Sequence, residues 1–202
     1  MEFLIQIIIF LPAIIIALTV HEFSHAWVAY KLGDPTAKAH GRLTFNPLAH
    51  LDPLGTLMLI LFRFGWGKPV PVNEYNFKNP VLGMALSSVA GPMSNFVLAI
   101  FGTFLFYILV GINPLLTAML IYFVLINILL MMFNLLPIPP LDGHKIVRAI
   151  LPEKLRYSWE SLENYSPFLL IGALFVIIYT GVLPRAMFFF LEILIPQYQN
   201  YL

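Results

Sequence analysis

Apolar residues in this chain gather into a few long runs, with polar residues in the gaps between them. A membrane-spanning helix needs about 20 mostly apolar residues. Four runs meet or nearly meet that length. The first extends from about Phe3 to Leu32 and stops at Gly33-Asp34-Pro35. The second covers about Val81 to Val110, with Pro92 as an internal kink. The third, Pro114 to Leu136, ends in Pro137-Ile138-Pro139-Pro140, and the fourth is Ser166 to Leu183. Past Pro184, Arg185 to Ile195 has the pattern of a short amphipathic helix lying at the membrane interface.

The stretch between the first two spans follows another pattern. Leu54 to Phe64 is apolar, but its length is too short to cross a bilayer. Two turn-rich, extended pieces flank it, Gly41 to Pro47 and Lys68 to Asn73. We read Thr36 to Asn79 as a re-entrant or surface-lying element. Irregular backbone at membrane depth survives where protein buries it or where it lines a wet cavity. The pattern therefore predicts an all-α polytopic membrane protein. It has about four transmembrane helices, a re-entrant or extended β-like element between the first two, and a short interfacial C-terminal helix. No hydrophilic block is long enough for a second domain, so residues 1–202 are expected to form a single membrane-embedded domain.

Composition agrees with a membrane protein. The chain is 60% hydrophobic and only 10% charged, against about 25% charged in soluble domains. The N-terminus lacks a basic region and a small-residue cleavage site, so Phe3 to Leu32 reads as a retained helix. A net charge of +1 without a basic block argues against a nucleic-acid partner. The chain has no cysteine, which excludes disulfides and thiolate metal sites. Lys31, Lys38, Arg42, Arg63, Lys68 and Lys78 precede the second span, and Lys145, Arg148, Lys154 and Arg156 follow the third. With four spans, all of them fall on one side. The positive-inside rule makes that side the cytosol and leaves both termini outside, as in a multi-pass protein of the cell membrane.

Candidate chemistry sits in the first run, at His21-Glu22-Phe23-Ser24-His25. On a helix, residues four apart share a face, so His21 and His25 can reach one metal ion. Glu22 lies beside them, where a general base for water is needed. Ionisable residues inside a membrane are expensive and point to function. A catalytic zinc site takes three protein ligands and keeps a fourth position for water. Candidates for the third ligand are Asp142, His144, His40, His50 and Asp52, with Asp142 favoured. His25 is six residues from Lys31, about 9 Å along a helix, so the histidines lie near the face where Asp142 emerges. Ser24 is no nucleophile, because no second base is placed to activate it. Asn127 is read as an interhelical hydrogen-bonding residue. Gly83, Ser87 and Gly91 form a close-packing stripe that continues to Asn95.

His21-Glu-Phe-Ser-His25, followed by Asn134-Leu-Leu-Pro-Ile-Pro-Pro-Leu-Asp142-Gly143, resembles the site-2 protease family of intramembrane zinc metalloproteases. Gly41-Arg-Leu-Thr-Phe-Asn-Pro, Lys68-Pro-Val-Pro-Val-Asn and Gly91-Pro-Met-Ser-Asn95 agree with it too. The resemblance covers roughly residues 15–150. It implies His21, His25 and Asp142 as ligands of one Zn2+ and Glu22 as the base. It implies Asn134 as a partner of the peptide or oxyanion, and Asn95 as part of the substrate-facing centre. Gly143-His144 stands where relatives often have two glycines, which leaves His144 as a spare ligand. A minimal form without accessory regulatory domains is expected. The activity implied is regulated intramembrane proteolysis, with transmembrane proteins or peptides as substrates and the bilayer as surroundings. The alternative is a metal-binding membrane protein without proteolysis, either a client-helix binder or a zinc carrier. A carrier should show paired halves, and no internal repeat is present.

Overall fold

The longest apolar runs become the longest helices. The computed structural model describes residues 2–62, 65–196 and 198–201. Among them, α1 is Glu2–Lys31, α2 Thr36–Ala39, α3 Pro53–Phe62, α4 Pro80–Leu109 and α5 Pro114–Asn134. Then follow α6 (Asp142–Ile150), α7 (Glu153–Glu160), α8 (Ser166–Thr180) and α9 (Val182–Leu194). Asn-Pro pairs start the two central helices. Asn79 Oδ1 accepts the Leu82 N–H at 3.1 Å, and Asn113 Oδ1 accepts the Leu115 N–H at 2.8 Å. Proline fits the next position because its missing N–H has no helical partner to lose.

Among the described residues, four runs are long and apolar enough to cross a membrane: Ile8–Lys31, Pro80–Leu109, Pro114–Asn134 and Glu153–Thr180. The protein is a multi-pass membrane protein. Helices α1, α4 and α5 form the core. Ala13 and Ala17 of α1 meet Ile126 of α5, while Ala99 and Phe106 of α4 pack with Ile121, Val124 and Ile128 of α5. The close approach of α4 to α5 depends on Gly102, where a Cβ would come 2.7 Å from the Phe123 ring.

The C-terminal part differs from expectation. The chain turns at Gly181, in the left-handed region with φ +63°, so the fourth run ends at Thr180. Helix α9 is amphipathic as predicted, with one apolar face set on protein and Phe189 and Ile193 exposed outside it. Leu183, Met187 and Leu191 are buried, and Met187, Leu191 and Ile195 join the α4–α5 core. A period of 3.6 marks an apolar face without saying whether lipid or protein covers it.

The segment between α1 and α4 turns back on itself. Helix α3 has 10 residues, about 15 Å of helix against a hydrocarbon core of about 30 Å. Leu51 and Gly67 form an isolated antiparallel bridge, and the Lys68 N–H donates to His50 O at 2.8 Å. The chain thus leaves beside where it entered. Arg63 and Phe64, counted in the expected apolar segment and basic loop, lie outside the described residues. No strand forms among the described residues, which corrects the β-like element. Pro69 and Pro71 have no N–H to give, which removes the ladder donors from one edge, and Lys68–Asn73 runs as an extended strap.

Asp34, fully buried just past α1, ties down the end of this strap. Its carboxylate accepts the Asn73 N–H at 2.8 Å, the Asn76 Nδ2 amide at 2.6 Å and the Thr36 hydroxyl at 2.5 Å. Burial opposes its ionisation, but the donated hydrogen bonds win and hold the carboxyl below its ordinary range. Arg42 secures the other end by donating from Nη2 to Lys68 O.

Candidate metal centre

One turn of α1 separates His21 and His25 and brings them onto one face, as their spacing requires. Both are buried, at 4% and 8% exposure. Each ring has one nitrogen fixed by a neighbour on α4. His21 Nδ1 lies 2.6 Å from Asn95 Oδ1, and His25 Nδ1 lies 2.7 Å from the Ser87 carbonyl oxygen. Neither partner oxygen can donate, so both Nδ1 atoms carry the hydrogen and both Nε2 atoms keep a free lone pair. The Nε2 atoms face each other at 3.0 Å.

Helix α6 completes the triangle. Asp142 is its first residue, and its Oδ2 lies 3.3 Å from His21 Nε2 and 3.2 Å from His25 Nε2. Burial works against the charged form of Asp142. With no metal bound, a proton held at a neighbouring imidazole Nε2 outweighs that and keeps its carboxyl well below the usual carboxylate range. Gly143 permits the fold-back, since a Cβ there would meet Leu135 O and Leu136 O at 2.3 Å each. The three donors suit a tetrahedral metal. Ligand bonds of about 2.0–2.1 Å would place the donors roughly 3.3 Å apart. Gly91 leaves the space open, because a Cβ at that position would come 2.3 Å from His25 Nε2 and 2.6 Å from His21 Nε2.

The triad opens on a cavity of about 180 Å3. Glu22 and Asn134 line it, with Pro69, Val70 and Val72 of the strap on one wall and Asp142 and Lys145 of α6 on another. Glu22 Oε2 accepts the Val70 N–H at 3.1 Å, which aims the carboxylate and leaves its other oxygen free. Asn134 donates one amide hydrogen to Leu130 O at 3.0 Å and keeps a second.

The remaining candidates lie elsewhere. Asn95, expected to face substrate, is fully buried behind the histidines. Its Nδ2 donates to Ala17 O at 3.2 Å and to Asn127 Oδ1 at 2.9 Å. His144 points away from the triad, stacks on Trp159 and has Nδ1 3.4 Å from Glu163, so it is no spare ligand. His40 bonds Thr36 O, His50 bonds Thr44 O, and Asp52 accepts the Gly55 N–H at the start of α3. Among the described residues, the group able to hold a metal is His21, His25 and Asp142. Sequence reasoning missed Lys145, although it shares the Asp142 face of α6 at i+3. It also missed the Val70 N–H, which no side chain advertises. Gly91 was read as packing, yet it borders the metal face.

Comparison with known proteins identifies the family. Peptidase family M50 matches over residues 110–179. The Bacillus subtilis (strain 168) protein named "Putative zinc metalloprotease YwhC" is 43% identical over 171 residues, covering 81% of this chain and 78% of that protein. This chain belongs to the M50 peptidases, the site-2 protease family. More distant M50 relatives carry the name "Putative zinc metalloprotease Rip2". The one from Mycobacterium tuberculosis (H37Rv) is 31% identical over 163 residues, covering 78% of this chain and 63% of its own length. The one from Mycolicibacterium smegmatis is 30% identical over 155 residues, 70% of this chain and 57% of that protein. No solved structure matches the chain.

Proposed function

We propose that this protein is a zinc-dependent endopeptidase that hydrolyses peptide bonds within or beside membrane-spanning helices of other proteins. The observation that carries the reading is a three-donor metal face sharing one cavity with an aimed carboxylate, Glu22. The zinc named for the relatives suits these donors, and His21, His25 and Asp142 would hold one ion. Bound there, it supplies Lewis acidity that polarises the scissile carbonyl and lowers the pKa of water towards about 7.

The chain's own groups do the rest. Glu22, fixed at Oε2 by Val70, takes the proton of the attacking water on its free oxygen and passes it to the leaving amine. Asn134 turns its second amide hydrogen towards the developing oxyanion. Asn95 and the Ser87 carbonyl hold the imidazoles with Nε2 forward. The residues form one membrane-embedded domain. Its cavity opens at the end of the bundle that carries the basic loops, which the positive-inside rule assigns to the cytosol. Water reaches the site from there.

The test is metal content and cleavage measured together. The purified protein should carry one zinc per chain and cut a membrane-spanning peptide. Glu22→Gln should keep the metal and lose about 10²–10⁴ in turnover, because an amide cannot accept a proton. Asp142→Ala should lose both. Cleavage by Glu22→Gln at the parental rate would sink the mechanism. A parent that binds zinc yet cuts nothing would favour the metal-binding alternative.

A further inference from the structure

The cavity is too small for the substrate it is proposed to take. Its volume is about 180 Å3, below the roughly 300 Å3 at the low end of sites for drug-sized ligands. An extended peptide of five residues runs about 17 Å. The walls must part, and the structure identifies what joins them.

One wall is the strap, whose Asn73 and Asn76 are bound to Asp34 at the end of α1. Glu74 sits between these two residues. The other wall is α6, which starts at Asp142 and carries Lys145 into the cavity. Arg148 lies six residues beyond Asp142, about 9 Å along the helix. Its Nη1 lies 2.5 Å from Glu74 Oε2, with side-chain exposures of 17% and 25%. Its Nε donates to Glu160 of α7. Helix α7 is bound to α6 a second time, through the Trp159 Nε1–H to His144 O at 2.9 Å and the stacking of those rings. Thus α7 is tied to α6, whose first residue Asp142 stands at the metal face and whose Arg148 reaches across to the strap.

We propose that the Glu74–Arg148 ion pair is a latch between these walls, and that a peptide enters when it opens. The inference rests on the peptidase reading and deepens it by assigning Arg148 as a positioning residue. The shared cation suits that role. When Glu74 leaves, Arg148 keeps Glu160, so opening strands no half-buried charge. Closing sets the strap, and with it Val70 and Glu22, against Asp142. The latch is thus both the entry gate and the device that restores the working geometry.

The chain has no native cysteine, so engineered thiols report alone. With Glu74→Cys and Arg148→Cys joined by a short reducible thiol cross-linker, cleavage of a membrane-spanning peptide should fall at least tenfold. Zinc content should stay unchanged, and reduction should restore the rate. A second measurement needs no cleavage. Met84 lines the cavity, and modification of Met84→Cys by a bulky thiol reagent reports opening. Glu74→Gln should speed modification about tenfold, as expected for losing a hydrogen bond between charged groups. Glu160→Gln should not speed it, since the latch itself is intact. Undiminished cleavage by the cross-linked protein, or equal acceleration by both glutamine variants, would overturn the latch and leave a general loosening. A parent that cleaves nothing would count against the peptidase reading, and the modification rates would still decide the latch.

Discussion

His21, His25 and Asp142 stand on helices, whereas Val70, which faces them across the cavity, stands on the extended strap Lys68–Asn73, which ends in a single 3-10 turn at Glu74–Asn76. The helical wall satisfies its backbone internally, and the buried neighbours Asn95 and Ser87 hold its side chains. The strap has no ladder. A few side chains hold it: Arg42 at Lys68, Asp34 at Asn73 and Asn76, and Arg148 at Glu74. Preorganised donors suit a metal, whose coordination tolerates little error. A wall fastened by separate polar contacts suits a substrate that must be admitted and then gripped. The division of labour between rigid helices and adjustable chain is the general one for sites on scaffolds.

The comparison is broken most completely at Gly91. Gly91→Val should abolish stoichiometric metal binding, because a side chain there meets both Nε2 atoms. Circular dichroism should show the helices retained. Full metal content in that variant would mean that the histidines have room to retreat, and that the helical wall is not rigid.

Asn134→Ala probes the cavity between the walls. Turnover should fall about 10²–10³ with metal content unchanged, as when one oxyanion donor is removed. Parental turnover would return Asn134 to its bond with Leu130 O and to packing alone.

Asn95→Ala tests the support behind the metal face. Metal affinity should weaken about 10–100-fold, read by competition with a chelator. An effect on substrate binding at unchanged metal affinity would instead restore the contact with substrate expected from sequence.

The smallest effect belongs to the strap's tether. Asp34→Asn should lower stability by about 1 kcal/mol at pH 7, from losing charge-assisted hydrogen bonds. The carboxyl is held below its ordinary range in the folded protein. Its contribution is therefore complete above the unfolded value of about 3.9 and fades as pH falls through the lower folded value. The gap between Asp34→Asn and the parent in denaturant unfolding should narrow as pH falls below the unfolded value of about 3.9. A gap independent of pH would mean that the charge is not what holds the strap.

Much of this contrast is legible in the chain itself. The central spans announce themselves by apolar length and by Asn79-Pro80 and Asn113-Pro114. The histidines do so by spacing. Asp142 stood out among five candidates because it emerges at the right face. What stays hidden depends on neighbours. The same amphipathic period describes α9 docked on α5 or lying on lipid. Asn95 could be placed on a stripe of α4, but not against His21, because a stripe does not name what it faces. Val70 contributes an N–H, which every residue but proline owns. Pro69 and Pro71 single it out only once Glu22 is known to lie beside it.

The bonds from His21 through Asn95 to Asn127 join α1, α4 and α5 inside the bundle. Lipid tails give an apolar helix no reason to prefer one rotation about its axis over another. These polar groups do. Turning or sliding any of the three helices by one residue would leave an amide in hydrocarbon without a partner, at a cost of a few kcal/mol. The same atoms that orient a ligand therefore specify the register in which the helices assemble. That choice is made before any metal arrives. Stripping the metal with a chelator should leave an assembled bundle ready to be refilled, not three helices searching for one another.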